Sequence, residues 1–219
     1  MNVMNKLGYS VCEEGMCFGM SSMGATAFIC GELVKFDSRL EDIYQFTRSD
    51  NQTLDTKYTI KGSASDIHAF FDGISLHQSP SEYSHLLSNK NIAPYNYPAY
   101  DLIYPTALED NQPFINSQYL LTGAYSSDEL VTYLNVIESL ALQSVAFLLG
   151  SSNHQISICY DIKEKSWYLI DANQLPSKRF KGDNQHLAEQ LICAFNVRKD
   201  GYAIFSTYEL QTKAQLNSF

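Results

Sequence analysis

The stretch that decides the fold is Asn153-His154-Gln155-Ile156-Ser157-Ile158-Cys159-Tyr160, followed after a short charged segment by Trp167-Tyr168-Leu169-Ile170-Asp171. Apolar and polar residues alternate in the first run, which is typical of a half-buried β-strand. The second run is short and rich in aromatic and branched residues, and the charged residues 161–166 between the two suit a turn. Together the two runs predict an antiparallel hairpin.

The register of this hairpin decides whether three polar residues can meet. Because side chains alternate between the two faces of a strand, a loop with an even number of residues brings His154, Asp171 and Asn173 to one face of the sheet. An odd loop without a bulge would place Asp171 behind the sheet. The functional hypothesis below requires the even loop.

A second informative stretch lies near the start of the chain and reads Glu13-Glu14-Gly15-Met16-Cys17-Phe18-Gly19-Met20-Ser21-Ser22. From Met16 onward, apolar and small residues recur at alternating steps of four and three, which predicts a helix buried on one face: Met16, Met20, Met23, Ala27, Cys30 and Val34. Cys17 would lie in the first turn at the margin of that face, where unpaired N–H groups favour a thiolate over a thiol. A buried structural cysteine is the alternative interpretation of this stretch.

These residue types suit nucleophilic catalysis by a thiol. Such a nucleophile needs an imidazole that accepts its proton and later protonates the leaving group, and the imidazole needs an acceptor that fixes its tautomer. Cys17, His154 and Asp171 are predicted to fill these roles as nucleophile, general acid and base, and orienting group. Asn173 is predicted to support them.

The order of these motifs resembles that of papain-like cysteine peptidases, in which a His follows the helix-start Cys by roughly 130 to 150 residues and an Asp or Asn comes next. More narrowly, the sequences around Cys17, His154 and 167–173 look like the YopT-type branch, found among effectors that bacteria inject into host cells; that branch often has Asp-Pro-Asn where this chain has Asp171-Ala172-Asn173. The resemblance implies an α+β, papain-like fold, in which a helical subdomain carrying the Cys packs against a small antiparallel sheet carrying His and Asp. It also implies a Cys-His-Asp triad acting on a protein or peptide substrate inside a host cell.

The sequence departs from the family at one position. Papain-like enzymes usually carry a Gln or Asn five or six residues before the Cys to donate a hydrogen bond to the oxyanion, and here those positions are Cys12 and Val11. The backbone N–H of Cys17 can supply one donor. Ser10 or Asn5 are the candidates for the second if the chain folds back.

Other functions remain open at the level of sequence. The same acyl-thioester chemistry serves deubiquitination, deamidation and transglutamination, because pocket shape chooses the acceptor. A papain-like shell without activity could also serve as an interaction module through its Tyr/Pro-rich segment 89–125.

Composition limits the partners and the compartment. The net charge of −9 argues against nucleic acid or an anionic membrane as the main partner and favours a protein or peptide substrate. Five scattered cysteines do not form a disulfide framework in 219 residues, so we expect a reducing compartment, which includes a host cytosol reached without a classical signal peptide. Cysteine and histidine spacing predicts no metal site, no cofactor is expected, and no apolar run suits membrane insertion.

The remaining pattern predicts a single domain over 1–219, with a helical part at about 1–150 and a sheet part at about 151–219. Within the helical part we expect a helix around Phe36–Thr47, with Asp37-Ser38 either as its cap or as a kink in one long helix. We also expect a short strand at 57–61, a helix at 67–74 and another at 81–88. Segment 89–125 is predicted to be irregular, as a substrate-facing flap or a packed connection. A long helix should begin with the capping sequence Ser126-Ser127-Asp128-Glu129 and end at Gly150. Near the C-terminus we expect a basic loop at 178–181, a helix at 184–196 and a strand at 202–208 beside the hairpin.

Overall fold

The computed structural model describes residues 16–48, 57–60, 63–78, 115–195 and 201–212. The chain divides into two compact units, Met1–Phe114 and Ile115–Phe219, and each is described by itself. Within the described ranges, no helix is both long and apolar enough to cross a membrane. The predicted helix at 81–88 and most of the Tyr/Pro-rich segment lie outside the described residues.

The first unit contains helices α1 (Cys17–Ile29) and α2 (Leu33–Arg48), strands β1 (Lys57–Ile60) and β2 (Ser63–Asp66), and helix α3 (Ile67–Gln78). The strands at 57–60 and 63–66 pair as a small antiparallel hairpin. The predicted strand near 57–61 is confirmed, and so is the helix from Ile67, which extends four residues beyond the predicted end.

The break between α1 and α2 differs from the prediction. Gly31 has a φ of +73°, a left-handed conformation that commonly ends helices. The apolar stripe therefore stops at this turn, and Val34 is 74% exposed rather than buried. Asp37 and Ser38 lie inside α2, so the predicted cap at these residues is wrong.

The second unit is built on a six-stranded antiparallel sheet. Its elements are β3 (Ile115–Tyr125), α4 (Ser127–Leu140), β4 (Val145–Gly150), β5 (Gln155–Asp161), β6 (Ser166–Ile170), β7 (Lys178–Phe180), α5 (Asn184–Phe195) and β8 (Ala203–Thr212). The strand order is β3-β8-β4-β5-β6-β7. The mixed α and β composition agrees with the predicted fold class, but the sheet is larger than the small one expected, and two of its strands precede residue 151.

The predicted hairpin is formed by β5 and β6, and its register is the one that the functional hypothesis requires. Asp161 pairs with Ser166 and Ser157 pairs with Ile170, so four residues, 162–165, separate the strands. An even loop keeps residues 154 and 171 on the same face of the sheet, as the sequence analysis required.

Two predictions in this unit are wrong. Residues 115–125 were expected to be irregular and instead form an edge strand paired with β8. The helix that begins at the capping box ends at Leu140, and 145–150 form a central strand. Because Ala146–Leu149 are buried on both faces of that strand, their continuous apolar run shows no period that would separate strand from helix.

Two C-terminal segments also differ from the prediction, one in its position in the sheet and the other in its secondary structure. The last strand, predicted beside the hairpin, lies between β3 and β4, so β4 separates it from the hairpin. The basic segment expected as a loop forms the short edge strand β7 against β6.

Helices α4 and α5 supply the apolar cover for one face of the sheet. Leu130 and Leu134 of α4 and Leu187, Leu191 and Phe195 of α5 are fully buried. They belong to one cluster with side chains from the strands: Phe147, Leu149, Ile156, Ile158, Tyr160, Trp167, Leu169 and Phe205. This core fixes the ends of β5 and β6, where the polar residues of interest lie.

Candidate functional site

Cys17 is the first residue of α1, as predicted. Met16 is the residue before the helix, and its carbonyl accepts a 3.0 Å hydrogen bond from the Met20 N–H. The Cys17 side chain is half-buried. The Cys17 backbone carbonyl accepts a 2.6 Å hydrogen bond from the Ser21 hydroxyl, so both backbone and side-chain hydrogen bonds stabilise the first turn of the helix.

Close packing of α1 against α3 sets the position of this first turn. The Gly19 N–H donates to Oε1 of Gln78 at 2.7 Å. A Cβ atom added at Gly19 would lie 2.2 Å from the carbonyl oxygen of Ile74, a distance that real Cβ atoms do not show. Glycine two residues after the cysteine is therefore required by the helix contact.

Two other thiols in the described residues, Cys30 and Cys159, have a raised pKa. Burial, with a contribution from the Glu32 carboxylate, raises the pKa of Cys30 to about 12. Burial also raises the pKa of the Cys159 thiol. Both are protonated and poorly nucleophilic at neutral pH, because the thiolate is the reactive form. Cys193 is exposed on α5.

His154 lies directly before β5 and directly after a two-residue turn. Ser151 and His154 close the turn: the Ser151 N–H donates to the His154 carbonyl at 2.8 Å, and the His154 N–H donates to the Ser151 hydroxyl at 3.2 Å. The His154 ring also lies 6.0 Å from the ring of the buried Phe195 of α5, centroid to centroid. Backbone and ring are thus both held.

Asp171 follows β6 directly and forms a hydrogen bond with His154. The His154 Nε2 and Asp171 Oδ1 atoms are 3.1 Å apart, and the two side chains are 13% and 3% exposed. Burial pushes the pKa of Asp171 upward, but hydrogen bonds from the His154 ring, the Asn173 N–H and Gln174, together with the charge of His154, lower it overall. The carboxylate is therefore ionised at neutral pH and can accept from Nε2–H. When the ring carries a single proton on Nε2, Nδ1 is the nitrogen that can accept another.

A turn after β6 fixes the carboxylate. The Asn173 N–H donates to Asp171 Oδ1 at 2.9 Å, and the Gln174 N–H donates to the Asp171 carbonyl at 2.8 Å. Asn173 was predicted as a supporting residue, and its contribution here is the backbone N–H, since its side chain is exposed.

Sequence reasoning missed two residues that contact this pair. One is Ser151, whose hydroxyl contacts the His154 backbone. The sequence pattern that could have indicated this contact is a Ser three residues before the His, the spacing at which a side chain can close a turn. The other is Gln174, whose Nε2 lies 3.5 Å from Asp171 Oδ2. No pattern in the sequence marked Gln174, because its contact depends on the turn after β6.

The structure brings His154, Asp171 and the Asn173 backbone together in the second unit. Cys17 belongs to the first unit, and the triad as a whole stays a prediction. The candidate oxyanion donors Asn5 and Ser10 lie outside the described residues. Across the part of the chain that the structure describes, no group of three or more His, Cys, Asp or Glu side chains could hold a metal ion.

Comparison with known proteins found a likeness among solved structures. No protein-family model matches the sequence, and no curated protein matches it. Among solved structures, the chain is similar to the crystal structure of the Pseudomonas avirulence protein AvrPphB. The similarity covers 94% of this chain and 99% of that one, with 16% identity and a TM-score of 0.38.

Proposed function

We propose that this protein is a thiol hydrolase that acts on a protein or peptide, with Cys17 as nucleophile, His154 as general acid and base, and Asp171 as the orienting group. The observation that carries the proposal is the 3.1 Å hydrogen bond between His154 Nε2 and the buried Asp171 carboxylate. A carboxylate in this position selects the tautomer whose Nδ1 can take a proton from a thiol. The sequence resemblance to injected effectors makes a host-cell protein the proposed substrate class.

The proposed reaction has two halves. The Cys17 thiol gives its proton to His154, and its sulfur attacks the substrate carbonyl carbon. The carbon–nitrogen bond then breaks, His154 returns the proton to the leaving amine, and an acyl thioester remains on Cys17. Water attacks the thioester while His154 takes its proton, which releases a carboxylic acid and restores the thiol.

Thiol reactivity tests the first half directly. We expect substoichiometric iodoacetamide near neutral pH to label Cys17 at least about tenfold faster than Cys193, which is exposed and serves as the internal control. Mass-spectrometric peptide mapping gives the two rates. In His154→Ala the Cys17 rate should fall to that of Cys193. Equal labelling rates of Cys17 and Cys193 in the wild-type protein would contradict the proposal that the Cys17 thiol is activated.

Peptide cleavage tests the complete reaction. Incubation with a proteome-derived peptide library should create new N-termini with the wild-type protein and none with Cys17→Ala, a loss of about 10³-fold or more. Ammonia release or amine incorporation without new N-termini, again dependent on Cys17, would instead identify deamidation or transglutamination. No Cys17-dependent product of any kind would contradict the proposal.

A further inference from the structure

The second oxygen of Asp171 has its own partner. Oδ1 accepts from His154 Nε2 and from the Asn173 N–H, at 3.1 and 2.9 Å. Oδ2 faces the side-chain amide of Gln174, whose Nε2 is 3.5 Å away. The carboxylate that holds His154 is therefore itself held on both oxygens, by a backbone N–H on one and a side-chain amide on the other.

The Gln174 amide is in turn held by a charged residue. The Lys178 ammonium donates a hydrogen bond to Oε1 of Gln174. An ammonium group can only donate, and an ionised carboxylate can only accept. An amide between them satisfies both only when its oxygen faces Lys178 and its NH₂ faces Asp171, so the chemistry of the two neighbours fixes its orientation.

Gln174 is anchored to Asp171, the residue directly after β6, and Lys178 is anchored to β6 itself. The Gln174 N–H is bonded to the Asp171 carbonyl at 2.8 Å, and Lys178 begins β7, where it pairs with Leu169 of β6. The backbone is thus held at both residues, next to the end of β6 at Gln174 and along β6 at Lys178. The hydrogen bond from Lys178 to Gln174 and the one from Gln174 to Asp171 therefore lie within a turn whose two ends are fixed.

We propose that Gln174, oriented by Lys178, is a positioning residue that fixes the Asp171 carboxylate and, through it, the His154 ring. The proposal rests on the proposed function for its catalytic meaning, although the hydrogen-bond chain can be tested without any substrate. Lys178 is exposed. A charge on the surface of the sheet is thereby connected to the buried His–Asp pair through a single amide.

The titration of Asp171 is the direct test. Burial raises and hydrogen bonds lower the pKa of this carboxyl, and the Gln174 amide is one of the donors that lower it. In protein labelled with ¹³C at Asp carboxyl groups, with the Asp171 signal assigned from Asp171→Asn, we expect Gln174→Met to raise the Asp171 pKa. Methionine keeps the length and apolar volume of glutamine but removes both hydrogen bonds.

A double-mutant cycle tests whether Lys178 acts through Gln174. Lys178→Met should raise the Asp171 pKa in the wild type and have no further effect in Gln174→Met, while Lys178→Arg should retain the wild-type value. Lys163→Met, at an exposed residue in the β5–β6 turn, is the control for the same change in net charge and should leave Asp171 unchanged. An unchanged Asp171 pKa in Gln174→Met, or equal effects of Lys178→Met in both backgrounds, would overturn the proposal.

Kinetics separate this inference from the proposed function. With a cleaved peptide as substrate, Gln174→Met should lower kcat about 3- to 10-fold with KM unchanged, because the contact acts on the His–Asp pair. The Asp171 pKa could shift as expected although the protein shows no Cys17-dependent activity. That result would support the positioning role of Gln174 and reject the proposed hydrolase function. Cleavage activity with an unaltered Asp171 titration would reject only the positioning role.

Discussion

The start of α1 and the end of β6 fix their proposed reactive residues by different forces. At α1, a glycine two residues after Cys17 allows a helix to approach the Ile74 carbonyl, so steric fit sets the position. At β6, Asp171 is held by donors to both of its oxygens, so hydrogen bonding and charge set it. We expect the first region to be sensitive to added volume and almost independent of pH, and the second to be tolerant of small changes in volume and sensitive to pH.

The largest effect is expected at Gly19. Gly19→Ala should lower the free energy of unfolding by about 3 kcal/mol, because its Cβ would meet a backbone carbonyl that cannot rotate away. Urea denaturation measures this loss. Val34→Ala, at a position 74% exposed in α2, is the control and should stay within about 0.5 kcal/mol of the wild type. A Gly19→Ala protein as stable as the control would show that the helix contact is not tight.

A smaller, pH-dependent effect is expected at Asp171. Asp171→Asn keeps the shape of the side chain but removes the charge, and should cost about 1 to 2 kcal/mol at pH 7. Because the folded-state pKa of Asp171 is lowered from its ordinary value of 3.8, the carboxylate stabilises the fold above that pH and loses its contribution as the pH falls through the folded pKa.

Urea denaturation of the wild type and Asp171→Asn at several pH values checks this prediction. The stability difference should be constant near neutrality and should shrink as the pH falls below about 3.8. Glu189→Gln, at an exposed position on α5, is the control for loss of a carboxylate. A difference between wild type and Asp171→Asn that does not vary with pH would mean that packing, rather than charge, explains the effect of the substitution.

The smallest effect is expected at Ser151. Ser151→Ala removes the hydroxyl that accepts from the His154 N–H and should cost about 0.5 to 1 kcal/mol, because the backbone hydrogen bond to the His154 carbonyl remains. The next residue, Ser152, is exposed and provides the matched control as Ser152→Ala. Equal stability of the two variants would show that the hydroxyl does not support the turn.

Local signals predicted the elements around the candidate site. Strand alternation showed that an even loop between β5 and β6 would place residues 154 and 171 on one face, and the observed loop of four residues meets that condition. The start of α4 follows from its capping box, in which the Ser126 hydroxyl accepts from the Glu129 N–H and the Glu129 carboxylate accepts from the Ser126 N–H. Each of these features depends on residues close together in sequence.

The features that the sequence did not predict depend on distant contacts. Whether 145–150 form helix or strand is decided by pairing with β5 and β8, and a run of apolar residues carries no information about those partners. The edge strand at 115–125 likewise exists through pairing with residues about 90 positions later in the chain. The role of Gln174 depends on a turn whose geometry positions its amide over Asp171.

The position of β8 in the sheet has a consequence for the order of folding during synthesis. This strand is the last described element of the chain, yet it lies between β3 and β4 and pairs with both. Strand pairing of β4, β5 and β6 requires only residues 145–170, whereas β3 has no sheet partner until Ala203–Thr212 have left the ribosome. On the growing chain, the strands that carry His154 and Asp171 can therefore pair while the other side of the sheet still awaits its final strand.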